Sequence, residues 1–160
     1  MPAAPDTPFP DLSSAGRGVV HATSVAVAGK GILIGGQSGA GKSSLALQML
    51  ALGADLISDD ITQVTPMRPA PLLSPAPRIT GHIEARGLGL LTLPFVEDVP
   101  LHFAIWLLPP ETRGERLPSA QEIDLFGAPT HLFTTSLAPH LGSALMLCLR
   151  SGIPPKDQIE

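Results

Sequence analysis

The chain has 160 residues, a formal charge of −4 and an apolar fraction of 44%, enough for one domain with a core of its own. Its mild acidity, with lysine only at Lys30, Lys42 and Lys156, excludes the basic footprint of a nucleic-acid binder and does not suit an anionic membrane surface. No apolar stretch is long enough to span a bilayer, and the lone Cys148, set in an apolar run, excludes an internal disulfide and reads as a buried small hydrophobe in a reducing cytoplasm.

Residues 1–15 are rich in Pro, Ala, Ser and Thr. They read as a disordered tail and lack the basic and apolar regions of a signal peptide. The folded domain is expected over 16–150, with a flexible tail over 151–160. Val19 to Ala28 alternates as a strand, Ala28-Gly-Lys-Gly31 has turn chemistry, and Ile32-Leu-Ile34 is a second short strand, so a hairpin is expected. That strand runs into the glycine-rich stretch Gly35 to Gly41. Lys42 to Leu52 reads as a helix of good helix formers, apolar on most sides, with Gly53 where a C-terminal cap belongs.

Asp55 to Asp60 reads as a short strand ending in two carboxylates, and Ile61 to Thr65 as its continuation into another. Pro66 to Pro77 contains five prolines and is expected to be loop. Gly81 to Arg86 is strand-like and is followed by a flexible Gly87-Leu-Gly89. Pro100 to Leu108 alternates cleanly and is expected to be a core strand. Pro109 to Pro129 is polar, with room for a short helix. His131 to Leu137 reads as a strand and His140 to Arg150 as a helix.

The chemistry concentrates in Gly36-Gln37-Ser38-Gly39-Ala40-Gly41-Lys42-Ser43, which fits Gly-x-x-x-x-Gly-Lys-[Ser/Thr]. Glycines let backbone amides approach phosphates, and the following helix turns its positive end toward them. Lys42 supplies a mobile cation, and the Ser43 hydroxyl is a hard oxygen ligand suited to Mg²⁺. Chance would produce this pattern in a chain of this length on the order of once in a few hundred. The apolar strand before it and the helix after it supply the context that chance matches lack. Asp59 and Asp60 end the next strand, where a carboxylate can organise Mg²⁺ or accept a proton from an attacking hydroxyl. On spacing alone, Glu84 and Arg86 form a surface pair and His21 is a structural residue.

Taken in order, His21, the hairpin, the Gly36–Ser43 loop, Leu45-Ala-Leu47, Asp59-Asp60 and Ile83-Glu-Ala-Arg-Gly-Leu-Gly89 resemble the C-terminal catalytic domain of the HPr kinase/phosphorylase family. The resemblance runs from about His21 to Leu93. It implies an α/β P-loop domain resembling phosphoenolpyruvate carboxykinase, with a mixed sheet and few helices, in a short form without the N-terminal domain of longer members. It implies ATP and Mg²⁺ as cofactors and a serine of HPr, the phosphocarrier of the bacterial sugar phosphotransferase system, as acceptor. It also implies a cytoplasmic homo-oligomer, usually a hexamer. Residue by residue, Lys42 and Ser43 match the phosphate-loop lysine and the Mg²⁺-ligating serine. Asp60 matches the proton acceptor, Glu84 a second Mg²⁺ ligand, and His21 an active-site histidine. Gln37 and Ser44 stand where the family often has acidic residues. Ser136 to Gly142 lacks the arginine that longer members use in phosphorolysis, so the resemblance implies the forward reaction rather than the reverse. A kinase for a small molecule and a non-catalytic ATP-binding sensor are the alternative readings.

Overall fold

A computed structural model describes Phe9 and residues 18–159. The expected tail over 1–15 lies outside the described residues except for Phe9, which is 6% exposed and sits edge-on to Trp106 with ring centroids 5.8 Å apart.

The expected hairpin forms as β2 (Thr23–Val27) and β3 (Lys30–Gly36), paired antiparallel through the turn at Ala28 and Gly29. Both turn residues have positive φ, +52° and +75°, the geometry that matches strand twist in a tight hairpin. The single strand expected from Val19 is two. β1 (Gly18–Val20) stops at His21, where Ala22 N–H turns back onto the Val20 carbonyl at 2.9 Å. The break lets β1 and β2 take different partners within one sheet.

β3 is followed by helix α1 (Lys42–Ala51) and then β4 (Asp55–Ser58), which pairs antiparallel with β2. β5 (Thr62–Thr65) pairs with β1. The proline-rich segment expected to be loop contains a strand, β6 (Leu72–Pro75), between β5 and the long β9 (Val99–Leu107). Its prolines cluster outside the strand or at its end, where a missing N–H costs no ladder bond, and Leu73 is fully buried. β7 (His82–Ala85) and β8 (Gly89–Thr92) form a separate hairpin. The polar stretch after β9 contains no helix. It contains β10 (Gln121–Leu125), paired only with β11 (Ala128–Thr135). An edge strand with one neighbour needs little apolar patterning. The chain then enters α2 (Leu141–Ser151).

β9 is the trunk of the nine-stranded sheet. β3 runs parallel along one side, while β6 meets the start of β9 and β11 runs parallel to its end on the other. Ile32, Leu33 and Ile34 of β3 are all fully buried, as expected of a strand covered on both faces. On one face Ile32, Ile34, Phe103 and Ile105 pack against Leu45 and Met49 of α1 and Leu145 and Leu149 of α2. Each fully buried side chain of this kind contributes about 1.5–3 kcal/mol. On the other, Leu33, Ile57, Val64, Leu73 and Leu132 form a second cluster that Phe9 joins.

The helices meet at Gly142, where a Cβ would come within 2.7 Å of the Gln48 side chain. α1 is buried only along Leu45, Ala46 and Met49, not all round. Arg150 donates to the Leu52 carbonyl at 2.8 Å, tying the C-terminal end of α1 to α2. Cys148 is half-buried rather than enclosed. Among the described residues no helix is long and apolar enough to cross a membrane.

Candidate active site

The loop from Gly36 to Gly41 links the buried end of β3 to the first turn of α1. Its three glycines at 36, 39 and 41 have φ of +150°, +85° and +107°, a region closed to most L-residues. At Gly36 a Cβ would come within 2.9 Å of the Leu107 carbonyl, and at Gly41 within 2.6 Å of the Leu137 side chain. At Gly39 it would meet nothing, because that part of the loop faces the cleft. Ala40 N–H closes the turn onto the Gln37 carbonyl at 3.0 Å, and Ala40 is buried beneath it. Lys42 lies across the loop, its Nζ donating to the carbonyls of Gly36 at 2.9 Å and Gln37 at 3.3 Å.

The loop opens into a cleft of about 390 Å³, whose lining includes Lys42, Ser43, Asp59, Asp60, Glu84 and Arg86. Of the residues singled out in the sequence, Ser38, Gly39, Gly41, Lys42, Ser43, Asp60 and Glu84 are brought together here. Gly36, Gln37 and Ala40 shape the loop without lining the cleft. His21 is exposed in the bend between β1 and β2 and is not among the lining residues.

Asp59 is the hub. It is 7% exposed, and both its carboxylate oxygens accept hydrogen bonds. Oδ1 accepts from the Ser43 hydroxyl at 2.7 Å and from the Thr23 hydroxyl at 3.0 Å. Oδ2 accepts from the Glu84 amide at 3.2 Å. One side chain thus joins the phosphate loop, the β2 strand and the separate β7–β8 hairpin. Asp60, its neighbour, is exposed toward the cleft and has φ of +65°. Aspartate tolerates this left-handed conformation better than most residues. The sequence marked the pair but left the part of Asp59 open. Thr23 carried no signal at all, since a β-branched residue opening a strand is ordinary.

The donor set fits a magnesium nucleotide. Ser43 and Asp59 present hard oxygens within hydrogen-bond contact of each other. Among the described residues no group of three His, Cys, Asp or Glu side chains gathers into a cage of its own. Mg²⁺ characteristically binds through one or two protein oxygens and completes its shell with phosphates and water.

Comparison with known proteins shows the family to which the chain belongs. The family model described as HPr Serine kinase C-terminal domain matches residues 13–96, the part that holds the loop, the aspartates and Glu84. HPr kinase/phosphorylase of Lachnoclostridium phytofermentans is 43% identical over 107 residues, covering 66% of this chain and 30% of that protein. The protein of the same name from Aromatoleum aromaticum is 34% identical over 122 residues, covering 69% of this chain and 39% of that one. The chain therefore spans well under half the length of these two relatives. The solved structure of the Hpr(Ser) kinase/phosphatase from Coxiella burnetii superposes with a TM-score of 0.73 at 22% identity, over 84% of this chain and 95% of that one. Its fold is the P-loop α/β fold seen here. By the match over more than half its length, this chain belongs to the HPr serine kinase C-terminal domain family.

Proposed function

We propose that this chain is an ATP-dependent kinase that phosphorylates a serine of an HPr-type phosphocarrier. The observation that carries the reading is a single cleft in which a glycine-cradled lysine, a serine–aspartate pair and a second aspartate converge. Lys42 and the loop amides bind the β- and γ-phosphates of ATP, assisted by the positive end of α1. Ser43 and Asp59 hold Mg²⁺, with Glu84 as the further oxygen ligand. The metal neutralises phosphate charge when bound. Asp60 lies beyond this pair on the open side, suited to accept the proton of the incoming serine. The serine oxygen–phosphorus bond forms, the bond from the γ-phosphorus to ADP breaks, and the proton moves to the Asp60 carboxylate. Catalysis of this kind is chiefly positioning and electrostatics.

Ser136 to Gly142 contains no arginine, and the reading is of transfer from ATP without efficient reversal by phosphate. The chain works in the cytoplasm as a homo-oligomer, a hexamer by resemblance. Leu147, 69% exposed, and Ile153, 62% exposed, give α2 and its end an apolar outer surface suited to association. Sedimentation of the purified chain checks this directly.

The test is incubation with γ-labelled ATP, Mg²⁺ and HPr, with the labelled residue mapped. Transfer to a serine, lost in Asp60→Asn while nucleotide still binds, supports the reading. Tight ATP binding with no transfer to HPr would instead identify a nucleotide sensor. Transfer to a small molecule alone would make the chain a different kinase.

A further inference from the structure

We infer that Thr23 is a positioning residue for this cleft: one buried hydroxyl sets Asp59 toward Ser43 and at the same time fixes the turn that presents Asp60. The inference rests on the phosphoryl-transfer reading for its kinetic consequence, though not for its structural one.

Thr23 opens β2 and is fully buried. A buried hydroxyl is costly unless it is hydrogen-bonded. This one is used in both directions, which a hydroxyl allows and an alkyl group does not. It donates to Asp59 Oδ1 at 3.0 Å and accepts from the Asp60 amide at 3.1 Å. The two aspartates are consecutive, so a single atom from another strand holds the side chain of one and the backbone of the next.

The turn it holds is a strained one. Ile61 N–H bonds to the Asp59 carbonyl at 2.7 Å, which closes a three-residue turn with Asp60 at its centre and φ of +65°. Three-residue turns with positive φ at the centre are rare, and a non-glycine residue persists there only when its surroundings over-determine it. Below, Ser58 Oγ donates to the Ile61 carbonyl and accepts from the Ala76 amide at 3.2 Å. Above, only Thr23 among the described residues takes the Asp60 amide. Without it Asp60 can relax toward ordinary backbone angles, and its carboxylate moves with it. The Asp59 carboxylate loses its anchor on the strand side and can rotate away from Ser43.

A neighbouring network supplies the control. Thr62 donates to the Ala22 carbonyl at 2.8 Å and pairs with Ser24 at 2.8 Å. These hydroxyls are as buried as Thr23 but touch neither aspartate. Removing one should weaken the fold without disturbing the cleft.

The experiment compares Thr23→Val, Thr23→Ser and Thr62→Val in the full chain, measuring transfer kinetics and amide hydrogen exchange at Asp60. Thr23→Val keeps the shape and deletes the hydroxyl. It is expected to lower kcat about tenfold or more, the effect of a misplaced reacting group. Thr23→Ser should restore kcat to within about threefold of the parent. Thr62→Val should lower the urea midpoint and leave kcat unchanged. Exchange at the Asp60 amide should be at least about tenfold faster in Thr23→Val than in the parent or Thr23→Ser, as follows from loss of its one acceptor. A Thr23→Val enzyme with kcat within twofold of the parent overturns the inference, as does a Thr23→Ser enzyme equally impaired, or unchanged exchange at Asp60. If the parent chain transfers no phosphate, the proposed function fails, and the exchange comparison alone still decides whether this hydroxyl holds the turn.

Discussion

Removing the Asp59 carboxylate should destabilise the protein more than its place in a cleft suggests. Asp59 accepts three hydrogen bonds, from Ser43, Thr23 and the Glu84 amide, and is 7% exposed. A hydrogen bond to a charged group contributes about 1.5–3 kcal/mol, so three independent bonds would sum to about 4.5–9 kcal/mol. The bonds share one group and are not independent. The Ser43 hydroxyl can turn to water in the cleft, whereas the Glu84 amide and the buried Thr23 hydroxyl have less freedom. Deleting a buried carboxylate also removes its own desolvation cost. Asp59→Ala is therefore expected to cost about 2–4 kcal/mol, lowering Tm by roughly 5–15 °C for a chain of this size. Asp59→Asn is expected to cost about 1 kcal/mol, because its carbonyl can serve the Glu84 amide while its NH₂ meets the two hydroxyl oxygens. The Asn variant should still bind ATP but lose the gain in affinity that Mg²⁺ confers. Urea unfolding and nucleotide titration with and without Mg²⁺ read the two effects separately. An Asp59→Ala protein within about 0.5 kcal/mol of the parent, or an Asp59→Asn protein with the full Mg²⁺ effect, would refute the reasoning.

Two loop glycines should differ sharply. Gly39→Ala meets no neighbour and should cost about 1 kcal/mol for its positive φ, whereas Gly36→Ala adds a clash with the Leu107 carbonyl and should cost about 2–4 kcal/mol and abolish ATP binding; urea unfolding and nucleotide titration check both. Partial desolvation, with a smaller contribution from Lys30, holds the exposed His102 below its ordinary value of 6.5. The unfolded chain then binds this proton more readily than the folded one, so stability from His102 is full above that pH and is lost as pH falls below it. The urea midpoint should fall less between pH 7.5 and 5.5 in His102→Gln than in the parent, and an identical fall would contradict this. Burial pushes the Cys148 thiol up from 9.0, and its Sγ donates to the Ile153 carbonyl at 3.2 Å. Alkylation at neutral pH should therefore be slower than for a free thiol and should accelerate on unfolding.

The phosphate loop was legible because its chemistry is written in residue types that nothing else requires together. Three glycines with positive φ, a lysine and a serine leave little choice of local structure. β3 was legible for the same reason, since an unbroken apolar run before such a loop is a strand buried on both faces. β6 was hidden by its prolines, although they fall where its ladder tolerates them. β10 was hidden because an exposed edge strand with a single partner carries charges freely. The sequence marked Asp59 and Asp60 as a pair but not their division of labour, which depends on the turn that buries one and exposes the other. Thr23 could not have been found from its neighbours, because its partners lie 36 positions away for the Asp59 contact and meet it only after β2 and β4 pair. The α1 helix is not buried all round as its leucine-rich composition suggests: Lys42, Ser43, Ser44 and Gln48 interrupt the apolar positions, and only Leu45, Ala46 and Met49 are enclosed between the sheet, α2 and the β7–β8 hairpin.

The most direct test of the account is transfer from γ-labelled ATP to HPr by the parent chain and by Asp60→Asn, with ATP binding measured on both. The account predicts Mg²⁺-dependent label on a serine of HPr, undiminished ATP affinity in the variant, and transfer reduced at least about a hundredfold, the scale of general-base catalysis. Full transfer by Asp60→Asn, or no transfer by a parent chain that binds ATP tightly, would contradict it.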